Sequence, residues 1–155
     1  MMNKIAIRHI DDFSPGLIRE LCALEIENLG EEISVNQWVI PVLIRYGLFT
    51  VAEKHPKKEI AGVCQVLRSY KDLSSAFIHT FYVRLHLRGE KIGKILLEEV
   101  LKKIKSDRFV KVQLTVDSAN TAAISLYESA GFKKLAVLED EYGEGVDRAL
   151  YSLKL

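Results

Sequence analysis

The residues best placed to do chemistry lie in one short basic turn. Arg88-Gly89-Glu90-Lys91-Ile92-Gly93-Lys94 follows the apolar, aromatic run Phe77-Ile78-His79-Thr80-Phe81-Tyr82-Val83 and precedes Ile95-Leu96-Leu97-Glu98-Glu99-Val100-Leu101. Aromatic and β-branched content favours a buried strand in the first run. Ile92, Ile95, Leu96, Glu99 and Val100 fall at helical spacings, and Leu97 and Leu101 widen the apolar stripe. A strand entering a helix through such a turn aims several backbone N–H groups and the helix's positive end outward. That arrangement suits an anion such as a phosphate. The same pattern also serves as an ordinary strand-to-helix connection with two loop glycines.

Composition narrows the classes. The chain has 155 residues, 48% apolar and 28% charged, which fits one soluble globular domain over 1–155 with a substantial core. A formal net charge of +1 gives no argument for a nucleic-acid partner. No apolar run approaches the ~20 residues of a membrane span. Met1-Met2-Asn3-Lys4-Ile5-Ala6-Ile7-Arg8 lacks the apolar core and cleavage site of a secretion signal, so a cytoplasmic location is expected. Cys22 and Cys64 sit among apolar neighbours and read as buried thiols rather than a disulfide. No Cys/His spacing suggests zinc, and no metal is expected.

The remaining elements would support the turn. Lys4–Ile10 reads as a first strand, and Ser14-Pro15 as the capped start of a helix with Leu17, Leu21, Leu24 and Leu29 on its apolar face, stopping at Gly30. Ser34 and Gln37 resemble a capping box for a second helix reaching about Tyr46, with Pro41 expected to kink or split it. Leu48–Glu53 and Glu59–Ser69 read as a hairpin, followed by the strand Ala76–Val83 and a helix from Ile92 to Lys105. Phe109–Val116 reads as a strand with Val110, Val112, Leu114 and Val116 on one face. Asn120–Ala130 reads as a short helix ended by Gly131, and Phe132–Leu138 and Ala149–Leu155 as strands around an acidic loop. The order implies an α/β fold, one mixed sheet with helices packed on it.

A second motif sharpens the reading. Asn120-Thr121-Ala122-Ala123-Ile124-Ser125-Leu126-Tyr127-Glu128-Ser129-Ala130-Gly131-Phe132 combines a good helix cap, small residues for close packing and a terminating glycine. Behind a strand and downstream of the Arg88–Gly93 turn, this pattern resembles the GNAT superfamily of acetyl-CoA-dependent N-acetyltransferases. The match spans about Phe77 to Phe132. The resemblance implies a single-domain GNAT fold, a central sheet of about seven strands flanked by about four helices, with acetyl-CoA (coenzyme A) as cofactor.

It also implies roles for particular residues. Arg88, Gly89, Glu90, Lys91, Ile92, Gly93 and Lys94 match the loop that holds the coenzyme A pyrophosphate. Phe81, Tyr82 and Val83 match the strand whose backbone binds the pantetheine arm and acetyl carbonyl. Asn120 matches a residue that helps hold the cofactor, and Tyr127 the group that protonates the leaving thiolate. Lys91 stands where the family's loop commonly has a glycine; backbone donors survive this change if Lys91 avoids a left-handed conformation. Leu85 replaces a common proline and costs a little rigidity. Thr115 occupies a position where several members carry a base, and threonine cannot serve as one. His79 matches a catalytic histidine of the aralkylamine branch and shares a face with Phe77 and Phe81; a hydrogen-bonded strand histidine is the plainer alternative. Glu25 and Glu27 are weaker candidates, because carboxylates on a helix surface are usually solvated.

Glu139–Asp147 lies where the superfamily places acceptor loops, and Tyr142-Gly143-Glu144-Gly145-Val146-Asp147 is similar to the loop of protein N-terminal acetyltransferases. Its carboxylates would attract a cationic amine, whereas a solvated acidic hairpin turn explains the same composition. Trp38 and Tyr46 either line an acceptor groove or fill the core. The expected activity is acetylation of a primary amine (a protein N-terminus, lysine or small amine) by direct attack. The alternatives are a small-molecule acetyltransferase and a non-catalytic acetyl-CoA sensor. The partner is an amine-bearing peptide, protein or small molecule, and the chain is a monomer or homodimer.

Overall fold

The computed structural model describes residues 4–155. Residues 1–3, which open the stretch read above against a secretion signal, lie outside the described residues. In chain order the elements are β1 (Ile5–Ile10), α1 (Pro15–Leu29), α2 (Ile40–Tyr46), β2 (Leu48–Lys54), β3 (Glu59–Arg68), β4 (Ser75–Val83), α3 (Ile92–Ser106), β5 (Lys111–Val116), α4 (Thr121–Ser129), β6 (Lys133–Leu138) and β7 (Arg148–Lys154). A 3-10 turn, Leu85–Leu87, follows β4. The seven strands form one mixed sheet in the order β1-β2-β3-β4-β5-β7-β6. Among the described residues no helix is long and apolar enough to cross a membrane.

The chain divides into two compact units. The first takes residues up to Leu67 together with Thr80–Val100. Its antiparallel β1-β2-β3 meander pairs Ile10 with Phe49 and Phe49 with Gln65. Ser14 caps α1, its Oγ accepting from the Leu17 N–H at 3.2 Å, and Pro15 needs no donor at the first helical position. Ile18, Leu21 and Leu24 of α1 join Ile40, Leu43 and Ile44 of α2, and Phe49, Val51, Ile60 and Val63 of the sheet, in one buried cluster. Gly62 marks a close approach: a Cβ there would lie 2.9 Å from the Tyr82 carbonyl oxygen.

The second unit takes Arg68–His79 and Leu101–Leu155. Here β4 runs parallel to β5 from Ser75 opposite Lys111 to Ile78 opposite Leu114. β7 lies antiparallel to β5 along its length, from Lys111 opposite Lys154 to Val116 opposite Ala149, and pairs with β6 on its other side. Val112, Leu114, Val116, Tyr127, Phe132, Ala149 and Tyr151 are buried.

Several sequence expectations need correction. Ser34 and Gln37 do not cap α2: its N-cap is Val39, with no side-chain cap, and the Ser34 hydroxyl donates to the Gly30 carbonyl instead. Pro41 therefore kinks nothing, since it occupies the first turn, where its missing N–H is not needed. Val110 lies outside β5 and is exposed, while the other three residues of its expected face are buried. Trp38 and Tyr46 are 78% and 81% exposed, so they do not fill the core. Glu25 is not a solvated surface carboxylate, because it is 1% exposed.

Candidate active site

Within the first unit, the turn between β4 and α3 is open. Arg88, Gly89, Glu90, Lys91 and Lys94 are exposed and Gly93 is partly so, while Ile92 is buried and anchors the helix start. The Ile95 N–H donates to the Lys91 carbonyl, which makes Lys91 the residue at the head of α3. The N–H groups that follow it have no acceptor within the helix. Gly89 has φ +86°, and a Cβ there would meet nothing within 4 Å. Lys91 has φ +63°, inside the left-handed region. It thus adopts the conformation that the sequence argument required it to avoid. A side chain is strained there, and the backbone follows the path a glycine would take.

The acidic charge beside the turn is paired. Glu90 would repel an anion, but both its carboxylate oxygens accept from Lys54 Nζ, at 2.7 and 2.9 Å. Arg88 Nε donates to the Val83 carbonyl at 3.1 Å, tying the turn to the end of β4. Just before it, Arg84 donates to both carboxylate oxygens of Glu27 at 3.1 Å and to Glu59 at 3.0 Å. The Arg84 N–H also donates to the Ala61 carbonyl. These bonds stiffen the segment where Leu85 stands in place of proline. They also pair Glu27 with Arg84. Phe81 and Val83 are half-buried and Tyr82 is buried in the α1–α2 cluster.

Within the second unit, His79 is the first β4 residue past the parallel ladder. It shares the less buried face of the strand with Phe77, as the alternation predicts. His79 is exposed by surface area, yet enough protein crowds the ring to hold its pKa below the usual 6.5 by desolvation. Asn120 caps α4, its Oδ1 accepting from the Ala123 N–H at 3.1 Å. Tyr127 is 5% exposed, with its ring centroid 5.8 Å from that of Phe132, and its carbonyl accepts from the Phe132 N–H at the helix end. The acidic loop reaches β5: the Tyr142 hydroxyl lies 3.4 Å from Thr115 Oγ1, and the Arg148 guanidinium sits 5.5 Å from the Tyr142 ring centroid. The Asp147 and Asp140 carboxylates accept from the Asp140 and Gly145 N–H groups, so part of the acidic charge shapes the loop itself. Among the described residues, no group of three or more His, Cys, Asp or Glu side chains is arranged to hold a metal.

An exposed turn heading a long helix, a cap-and-tyrosine helix downstream and this strand order together define a class of protein. The Acetyltransferase (GNAT) family profile matches residues 18–132, and the chain belongs to that family. An N-alpha-acetyltransferase of Saccharolobus solfataricus is 38% identical over 69 residues, a stretch that is 44% of this chain and 41% of that protein. Ard1 from Thermoplasma volcanium superimposes with a TM-score of 0.81 at 22% identity, over 97% of each chain. A Bacillus subtilis acetyltransferase in complex with CoA gives 0.76 at 19% identity, over 98% of this chain and 99% of that one. At these identities the two structures share the fold.

The open turn fits the donor this family uses, acetyl-CoA. Its backbone donors, left-handed Gly89 and Lys91, and neutralised Glu90 are compatible with a diphosphate. Glu25, read from the sequence as a weaker candidate on a solvated helix surface, is instead buried. The signal was present, because Ile18, Leu21 and Glu25 share one helical face.

Proposed function

We propose that this chain transfers the acetyl group of acetyl-CoA to a primary amine, with protein or peptide amines ahead of small molecules. The observation that carries the reading is the exposed head of α3, with left-handed Lys91 at its start, in a chain of the GNAT family. Bound acetyl-CoA supplies an activated thioester carbonyl. Arg88–Lys94 would hold its pyrophosphate through main-chain donors, and the backbone of Phe81–Val83 its pantetheine arm; Asn120 keeps the cofactor-holding role that the family resemblance implies. The Val83 carbonyl also accepts from Arg88, which ties the end of that strand to the turn.

Tyr127 would give its phenolic proton to the leaving sulfur as the amine nitrogen bonds to the carbonyl carbon and the C–S bond breaks. An amine of pKa ~10 must first lose a proton. His79, neutral at pH 7 because its pKa is lowered, is the candidate to accept it. Tyr142 and Trp38 would meet the acceptor. The likeness to an N-alpha-acetyltransferase supports a peptide amine.

Thiol release from acetyl-CoA, measured against peptides with free N-termini, lysine and polyamines, tests the reading. Turnover with at least one amine is expected. Cofactor binding without turnover on any of them would favour the sensor alternative, to which Thr115 at the usual base position lends support.

A further inference from the structure

Glu25 is buried in α1 without a cationic partner among the described residues. Its Oε1 accepts from Gln65 Nε2 on β3 at 2.8 Å, and its Oε2 from the Val35 N–H at 3.4 Å. Val35 belongs to the connection between α1 and α2, which also carries exposed Ile33 and Trp38. The Tyr82 hydroxyl on β4 lies near enough to influence the same carboxyl but does not reach it in hydrogen-bond geometry. Gln65 Oε1, the Tyr82 hydroxyl and Asn28 Oδ1 are buried without partners. The carboxyl is thus buried with two neutral N–H donors and no compensating cation among the described residues, and its burial favours a proton on it.

We propose that Glu25 is a positioning residue for the acceptor side: its carboxyl ties the α1–α2 connection to β3, and its ionisation loosens that tie. The acceptor-side role rests on the transferase reading above; the tie itself does not.

Burial lifts the Glu25 pKa from its ordinary 4.5 to about 7, against smaller lowering contributions from Val35, Gln65 and Tyr82. An arrangement in which the connection opens and water reaches Glu25 restores the ordinary value. The two arrangements bind protons differently, so rising pH shifts the population toward the open one between about 4.5 and 7. The other titratable groups facing the cluster do not mask this. Cys22 on α1 has its thiol pushed up by burial and by Glu25 itself. Tyr82 is pushed far above its ordinary value by burial, then by Glu25 and Glu27, with Arg84 opposing. Neither titrates in this window. Arg84 is engaged by Glu27 and Glu59.

Amide hydrogen exchange of residues 30–39, corrected for intrinsic pH dependence, tests the tie without any acceptor. Protection of the Val35 amide should fall at least tenfold between pH 5 and 8 in the unmodified protein and stay level in Glu25→Gln. Equal falls in both, or none in the unmodified protein, would overturn the proposal. Should Glu25→Gln fail to fold, Gln65→Leu removes a donor and should move the transition to higher pH; an unmoved midpoint would contradict the tie. In turnover assays with a free-N-terminal peptide, Glu25→Gln should change the pH dependence of the acceptor KM while the acetyl-CoA KM stays within twofold. A changed acetyl-CoA KM alone would remove the acceptor-side role. No turnover with any amine, combined with pH-dependent protection, would sink the transferase reading and leave the tie standing.

Discussion

Glu25 is a carboxyl group where the helix pattern calls for an apolar side chain. Its raised pKa has a consequence for the whole fold. Below about pH 4.5 it is protonated folded and unfolded; between 4.5 and about 7 the folded chain keeps a proton that the unfolded chain has released. Its contribution to stability is thus present at low pH and lost as pH rises through that window, with a slope of at most about 1.4 kcal/mol per pH unit. Glu25→Gln should remove this slope, seen as a difference between the two proteins in denaturant melts from pH 4.5 to 7.5; parallel curves would show that the carboxyl stays ionised. Tyr127 makes the other residue-scale prediction. Tyr127→Phe should lower turnover by about ten- to a thousandfold and leave coenzyme A affinity nearly intact, if the phenol supplies the proton. Steady-state kinetics alongside calorimetric titration checks it. Tyr127 stood out in the sequence because its motif surrounds it. Glu25 did not, because burial of a charge depends on β3 and β4 partners far away in the chain.

At the scale of elements, the left-handed start of α3 and the contact of β3 with β4 are the positions where backbone decides. Lys91→Gly should stabilise the protein by up to about 1 kcal/mol, since relief of side-chain strain exceeds the extra chain entropy of glycine. Thermal melts read this directly, and a lower Tm would mean the lysine stem makes compensating contacts. Gly62→Ala should cost about 1–3 kcal/mol, because its Cβ would lie 2.9 Å from the Tyr82 carbonyl, which cannot move without disturbing the strand. An unchanged melting curve would show that the two strands separate freely there. Strand and helix positions were readable from periodicity throughout β2, β3, β4 and α3. The start of α2 was not, because two polar residues with capping-box spacing lay in a connection whose geometry is set by Gly30 and Val35. The exposure of Trp38, Val42 and Tyr46, four residues apart in sequence, was likewise hidden, since aromatic residues at such spacing read equally as core.

For the molecule as a whole, the sheet order explains what each strand had to be. β3 and β4 are inner strands with long buried runs, while β6 lies at an edge, exposed at Lys133–Val137 and opened by two lysines that discourage further pairing. That mixed order was legible as a class from the alternation of elements and from two short motifs. The crossing in which β7 inserts between β5 and β6 was not, because nothing local distinguishes it from a simple hairpin succession. The proposed grip of main-chain donors from Arg88 to Lys94 on the diphosphate of coenzyme A can be read from amide chemical shifts in a titration with coenzyme A and, separately, with pantetheine. Coenzyme A should move the Gly89–Lys94 amides strongly, and pantetheine, which lacks the diphosphate, should leave them nearly in place. Coenzyme A binding with those amides unmoved would mean that the diphosphate is held elsewhere.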